Sequence, residues 1–419
     1  MKKINSMTVS GGQDIFLALI LLIILFACLS AAKSAEAETA FADGQLFLAN
    51  GQPITIEEFA AQAAGADYVL IGETHDAPHH HLMQANLLKS LAEAGLRPAV
   101  GFEMLYFRNQ HLLEDFNQRK IKLGELEAAS GWSKSWSYPF EIYAPIFQVA
   151  ENFDLPVHGL NISKATLDLV KADGFDQAHK NNAQEQIPDL PKEVIWPKPE
   201  QVAHLNKIRE GLASRQQQQK PDDKAAEPAS PNPPETEKPK AGDPRRFLLV
   251  QSLWDTSMAE SAVKAHEKTG RPVVIIAGSG HVESGYGIAH RINTLTPGKK
   301  ILLVLPLASP FRNEDPRKNS ADVFFASRPS LLSLGLVFKA EPDYIIIDEV
   351  KNSSRAESAG LQIGDRIISL EEKDLKSPGD FHSAMAIADL QDKRSGAAEK
   401  RAKTLIVERN GIKQSLTLY

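Results

Sequence analysis

An open α/β fold, with a mostly parallel sheet covered by helices on both faces and a small mixed α+β unit behind it, is what the sequence predicts. Three observations carry this expectation. Short apolar runs closed by glycine alternate with helix-like stretches. Two of those runs, about two hundred residues apart, end in the same Gly-x-x-His turn. Beyond residue 310 the composition shifts, and the chain ends in an Asn-Gly hairpin.

At the start of the chain, Ile15 to Ala32 carries no charge, follows Lys2 and Lys3 and is bounded by Lys33. This pattern predicts an export signal or a membrane anchor over residues 1–37. Ala35-Glu36-Ala37 offers small residues for cleavage before Glu38, whereas Leu25-Phe26-Ala27-Cys28 offers Cys28 for lipidation, and the run is also long enough to remain as an uncleaved span. Each reading places the rest of the chain outside the cytoplasm, in the cell envelope or periplasm, since the lysines stay inside. Cys28 is the one cysteine among 419 residues, so neither an internal disulfide nor a second thiol is available. The net charge of -6 gives no electrostatic reason to expect nucleic acid as a partner.

Thr55 to Ala64 reads as a helix with Ile56, Phe59 and Ala63 inward, and a strand follows at 68–71. His79 to Ala94 places Leu82, Leu87, Leu88 and Leu91 at helical spacing, completing a βαβ unit with a strand at 98–102. Helices are expected from Gln110 to Phe116 and from Tyr138 through Ala150, and strands at 155–160, 272–277 and 300–305. Between 178 and 246 the chain turns polar, and from 214 to 246 it is rich in Gln, Pro, Lys and Glu. Such a segment cannot bury enough surface to offset its ordering entropy, so it reads as a disordered insertion in a domain spanning 43–312. A final unit is expected over 325–419, ending in a hairpin whose Asn410-Gly411 is a favoured two-residue turn.

The chemistry is expected at strand ends, because ligands of open α/β sheets collect at the carboxyl ends of the strands. The first run ends Ile71-Gly72-Glu73-Thr74-His75 and the second Ala277-Gly278-Ser279-Gly280-His281. Between them, Val100-Gly101-Phe102-Glu103 ends in a carboxylate where a buried strand would normally stay apolar. His75, His281, Glu73 and Glu103 are therefore candidates for holding a divalent metal or for acid–base work, both of which suit imidazole and carboxylate. Among His79-His80-His81, His80 is a further candidate ligand, while consecutive positions on a helix point in different directions.

Gly72-Glu73-Thr74-His75-Asp76, His79-His80, Gln84, Phe102-Glu103-Met104, Gly159-Leu160-Asn161, Trp254-Asp255-x-x-Met258-Ala259 and Gly278-Ser279-Gly280-His281 together resemble the ChaN-like family. That family is haem-binding, connected with iron uptake, and grouped with the Tiki metalloproteases and the erythromycin esterases. The resemblance covers about residues 43 to 312. It implies haem held through a tyrosine between two subunits of a homodimer, with Tyr106, Tyr138, Tyr143 and Tyr286 as candidates and Tyr138 and Tyr286 in loop-like contexts. The Tiki-like branch implies instead metal-dependent peptide cleavage, with His75, His281 and Glu103 as the metal set, Glu73 as a further candidate, and Mn, Co or Zn as the ion.

The C-terminal unit resembles a PDZ domain of the bacterial envelope-protease type, through Leu334-Gly335-Leu336-Val337-Phe338, Ser358-Ala359-Gly360-Leu361-Gln362-Ile363-Gly364-Asp365 and the final hairpin. That resemblance implies capture of an extended peptide or protein C-terminus as an added strand. Leu334, Gly335, Leu336 and Val337 would form the carboxylate loop, and Leu336 and Phe338 the groove.

Overall fold

The computed structural model describes residues 41–185, 188–207, 209, 244–312, 314–327, 334–340, 344–376 and 401–418, with scattered positions between 380 and 391. The apolar N-terminal segment with Cys28 and most of the polar insertion lie outside the described residues. No helix among the described residues is long and apolar enough to cross a membrane.

Eight strands form the first sheet: β1 (Leu46–Leu48), β2 (Pro53–Ile54), β3 (Tyr68–Glu73), β4 (Ala99–Tyr106), β5 (Val157–Asn161), β6 (Val273–Gly278), β7 (Ile301–Leu307) and β8 (Val323–Ala326). Their order is β2-β1-β8-β7-β3-β6-β4-β5, with β8 through β5 parallel and β1 and β2 antiparallel at one edge. The five strands expected from the sequence are all present within a few residues. The boundary expected at 325 is corrected, because Val323–Ala326 pairs with both β7 and β1 and Phe325 lies in the core of this sheet. The second unit therefore begins beyond residue 327.

The helices are α1 (Ile56–Ala63), α2 (Pro78–Glu93), α3 (Gln110–Asn117), α4 (Leu123–Ser130), α5 (Trp132–Ser135), α6 (Phe140–Asn152), α7 (Lys164–Asp173), α8 (Phe175–Glu185), α9 (Pro244–Thr269), α10 (Ser279–Val282) and α11 (Ile288–Leu295). A capping box starts α1, in which Thr55 accepts from the Glu58 N–H and the Glu58 carboxylate from the Thr55 N–H. Strand pleating sends successive side chains to opposite faces and so builds two cores. Val69, Ile71, Val100 and Phe102 join Phe59, Leu87, Leu88, Ile146 and Phe147 on the face covered by α1, α2 and α6. Tyr68, Leu70, Val273 and Ile275 join Met258, Ala259, Ala262 and Ile292 on the face covered by α9 and α11. Burial on both faces is why these strands read as continuous apolar runs.

On β5, His158 is buried, and its Nε2 has no hydrogen-bond partner among the described residues. Burial, with Lys268 nearby, depresses its pKa to about 4. Between pH 6.5 and 4 the unfolded chain binds a proton that the folded one refuses, so this contribution is present above 6.5 and is lost as pH falls toward 4. Replacing His158→Leu is expected to flatten the loss of unfolding free energy over that window by up to about 3 kcal/mol. Urea unfolding at both ends of the window checks it, and parallel wild-type and variant curves would refute it.

The second sheet contains β9 (Leu336–Ala340), β10 (Ile345–Val350), β11 (Arg366–Leu370), β12 (Lys373–Asp374), β13 (Lys403–Arg409) and β14 (Ile412–Leu418). It is antiparallel, in the order β14-β13-β11-β10-β9 with β12 on β11, and it holds its own core of Leu334, Ile345, Ile347, Ile367, Met385, Leu405 and Val407. Its terminal hairpin turns at Asn410 and Gly411, with φ of 52° and 77°, the conformation that an Asn-Gly pair accepts. Asp365 accepts two bonds of 2.7 Å from Arg409, tying the Gly364-Asp365 turn to the hairpin.

Candidate functional site

The strand order puts the three polar ends side by side. Strand β6 enters between β3 and β4, with Glu73 paired to Gly278 and Phe102 to Ile276. Glu73, Gly278 and Glu103 thus share one carboxyl-terminal edge, with His75 on the turn after β3 and His281 on α10, which follows β6 directly.

Glu103, 6% exposed, accepts the Gly278 N–H at 2.7 Å and lies 3.4 Å from His281 Nε2. The other ring nitrogen of His281, Nδ1, donates to Asp255 Oδ1 at 2.6 Å. His75 Nδ1 is paired with Glu73 Oε1. A Cβ added to Gly278 would come within 2.8 Å of His75 Cε1, 3.2 Å of its Nε2 and 3.6 Å of Glu103 Oε2. Glycine is thus required for the His75 ring to lie across the strand end and approach Glu103.

These contacts set the ionisation. Burial alone would raise the Glu103 carboxyl, but His281 and His75 together with the Gly278 N–H hold it down at about 2. Burial alone would lower His281, but Glu103 and Asp255 raise it well above the ordinary imidazole value. Burial also opposes the charge on His75, and Glu73 outweighs it, raising that pKa as well. Both imidazoles are thus favoured in their charged form by the carboxylates they face. Two buried atoms, Glu73 Oε2 and Ser279 Oγ, have no hydrogen-bond partner among the described residues.

Aromatic residues wall the His75 side. The His75 ring lies 4.8 Å from Trp136 and 5.4 Å from Tyr138, both half-buried. Tyr143 is fully buried beneath them, donating to the His75 carbonyl at 3.3 Å and accepting from Trp136 Nε1 at 3.3 Å. Tyr106 lies at the β4–β5 end, where its surroundings are Lys164, Asp168 and Asp189. Tyr286 lies 6.5 Å from the His204 ring. Of the four tyrosines, the one against His75 with a partly exposed ring is Tyr138.

All three histidines of the 79–81 cluster are buried, and His80, the further candidate ligand, has both ring nitrogens engaged within the protein. His80 Nδ1 accepts from the Thr74 N–H at 2.9 Å, and its Nε2 lies 2.7 Å from Ser327 Oγ, which also contacts His79. His81 Nε2 contacts the His75 carbonyl at 3.2 Å, and Gln84 donates to the Ile71 carbonyl at 2.9 Å. The cluster brackets the loop carrying His75. As for metal, no three His, Cys, Asp or Glu residues are arranged to hold an ion among the described residues.

Sequence reasoning assigned no role to Asp255, Gln201, Arg291 or Trp136. Asp255 alone carried a signal, as part of the Trp254-Asp255-x-x-Met258-Ala259 step on α9.

Fold and site together define an open α/β protein with a histidine- and carboxylate-lined edge at the ends of its central strands. The chain belongs to the family described as haem-binding uptake, Tiki superfamily, ChaN, whose match spans residues 59–292. No curated protein matches the chain. Among solved structures, one titled for cofacial haem binding to ChaN of Campylobacter jejuni is 19% identical, covering 67% of this chain and 96% of that one with a TM-score of 0.48. An erythromycin esterase mutant in its open conformation is 13% identical, covering 69% and 83% with a TM-score of 0.34. An HtrA-type protease with a decapeptide is 20% identical over 20% of this chain and 27% of that one, with a TM-score of 0.15.

Proposed function

We propose that this chain is a cell-envelope haem-binding protein serving haem or iron uptake, with haem seated at the strand-end edge against Trp136, Tyr138 and His75. The observation that carries the reading is the half-buried Tyr138 phenol packed beside His75 in a chain of haem-binding family. Ferric iron favours a hard anionic oxygen ligand, which a tyrosinate supplies. The rings of Trp136 and Tyr138, inclined at 53° to each other and both half-buried, offer aromatic surface for a porphyrin to lie against. The site therefore fits the group, with Tyr138 as the oxygen ligand and His75 beside it. A homodimer closing the edge from outside and an N-terminal anchor, by lipid at Cys28 or by an uncleaved span, complete this reading.

Haemin titrated into residues 38–419 is expected to give a saturable Soret band with a phenolate charge-transfer feature. Absence of a saturable change would remove the haem reading.

The C-terminal sheet is read as a PDZ domain. Among the described residues β9 stands last in the order of its sheet, the position from which strand addition proceeds in such domains, and Leu336 and Phe338 are half-buried along it. Phe338 packs edge-on to Phe381 at 4.9 Å, and Gly335 takes φ of 78° beside Ser354. A peptide with an apolar C-terminus is expected to bind the full chain, and its amidated form about tenfold or more weakly, since the carboxylate is lost. Equal binding of the two forms would exclude terminal-carboxylate recognition.

One observation favours a second reading, metal-dependent peptide hydrolysis. Both His75 and His281 anchor Nδ1 on a carboxylate and turn Nε2 toward the Glu103 side, as metal-ligating histidines do. Peptide cleavage stimulated by Mn, Co or Zn and lost in a His75→Ala, His281→Ala double variant would establish it.

A further inference from the structure

We propose that the arm of chain leading into the polar insertion is part of the site: Gln201 and Arg291 are positioning residues that fix Asp255 and, through it, the ring of His281. The inference deepens the haem reading and rests on the strand-end edge being the haem site.

Arg291, on α11, is 0% exposed. Its NH1 donates to Gln201 Oε1 and to the Tyr286 carbonyl, each at 2.6 Å, and lies 3.4 Å from Asp255 Oδ2. Its Nε donates to the Ile195 carbonyl at 3.1 Å. Gln201 turns its amide nitrogen to the same Asp255 oxygen at 3.2 Å. Both Asp255 oxygens are then committed, Oδ2 to Gln201 and Arg291 and Oδ1 to His281, so the carboxylate cannot rotate without breaking several contacts at once. The alternation Glu103, His281, Asp255, Arg291 is a buried line of opposite charges running inward from the strand end.

The arm is stitched down separately. The Lys192 N–H donates to Glu260 Oε1 at 2.9 Å and the Ile195 N–H to Thr256 Oγ1 at 3.2 Å, both on α9. Gly287 allows the close approach, since a Cβ there would come within 2.3 Å of the His281 carbonyl and 3.0 Å of Asp255 Oδ1. A purely structural account explains this line poorly. Apolar packing of equal volume generally stabilises a fold as well as or better than buried ion pairs. Here Arg291 NH2 is left with no hydrogen-bond partner among the described residues. What the charges supply that apolar groups would not is a fixed ring orientation for His281, the role that outer hydrogen-bond partners play for site histidines.

The test labels the full chain with 15N-histidine and assigns the ring nitrogens of His281 by their loss in His281→Ala. Gln201→Leu and Asp255→Asn are expected to shift those resonances while leaving the His158 ring unchanged, and to raise the haemin Kd about tenfold. Arg291→Met is a third variant, and the first two carry the test should it fail to fold. His281 resonances that stay at their wild-type positions in both folded variants would overturn the proposal. Wild-type protein that binds no haemin would sink the haem reading, while the resonances would still decide the positioning.

Discussion

A Tyr138→Phe variant is expected to bind haemin about 100-fold more weakly and to lose the phenolate charge-transfer absorption, because it removes the oxygen proposed to bind the iron; loss of an outer partner alone costs about 10- to 100-fold. The ring stays, so the apolar wall with Trp136 and the contact with His75 are preserved and the fold is not at risk. In the protein without haem, burial raises the Tyr138 pKa, and the negative charges of Asp76 and Glu73 add to it. The phenol is therefore neutral at ordinary pH and must give up its proton to bind iron, so haemin affinity is expected to rise with pH. Tyr143→Phe provides the contrast. It removes the bond to the His75 carbonyl and the one accepted from Trp136 Nε1, each worth about 1 kcal/mol, and is expected to leave the haem spectrum unchanged. Retention of both the absorption band and wild-type affinity in Tyr138→Phe would move the ligand elsewhere.

The central strands were legible because parallel strands buried on both faces must be apolar throughout, which made a terminal Glu103 or a Gly-x-x-His turn stand out. Adjacency of those ends follows from strand order, which periodicity does not encode; the insertion of β6 between β3 and β4 is a tertiary fact. The His79-His80-His81 run was opaque for another reason. Its burial depends on Thr74, the His75 carbonyl and Ser327, the last of which is 247 residues away from His80. Strand β8 is four residues long and follows a polar loop, so its likeness to the start of the next unit hid its pairing with β7. Asp255 sits in mid-helix, where a charged residue reads as a solvated position until β6 brings His281 against it. Gln201 and Ile195 lie where composition turns polar, and composition averages away single buried contacts.

Removing His281 is expected to cost about 3–5 kcal/mol of stability, because Glu103 and Asp255 would lose the cation between them. The His281→Ala, Glu103→Gln double variant should cost less than the sum of the two singles, since it leaves no stranded charge at the strand end. The pH dependence has a definite sign. Glu103 is held at about 2, below the ordinary carboxyl value of 4.5, so its contribution is present above 4.5 and is lost as pH falls toward 2. His281 is raised above 6.5, so its contribution is complete below 6.5 and is lost only as pH rises through that higher value. The pair therefore contributes fully between pH 4.5 and 6.5. Urea unfolding near the middle of that window should show the largest gap between wild type and His281→Ala, narrowing as the solution is acidified toward pH 2. A gap under about 1 kcal/mol in mid-window, unchanged on acidification, would mean that the strand-end charges are solvated rather than paired. Haem bound against this edge would then need no displacement of an ion pair, and the ordering of the site by Asp255 would lose its physical basis.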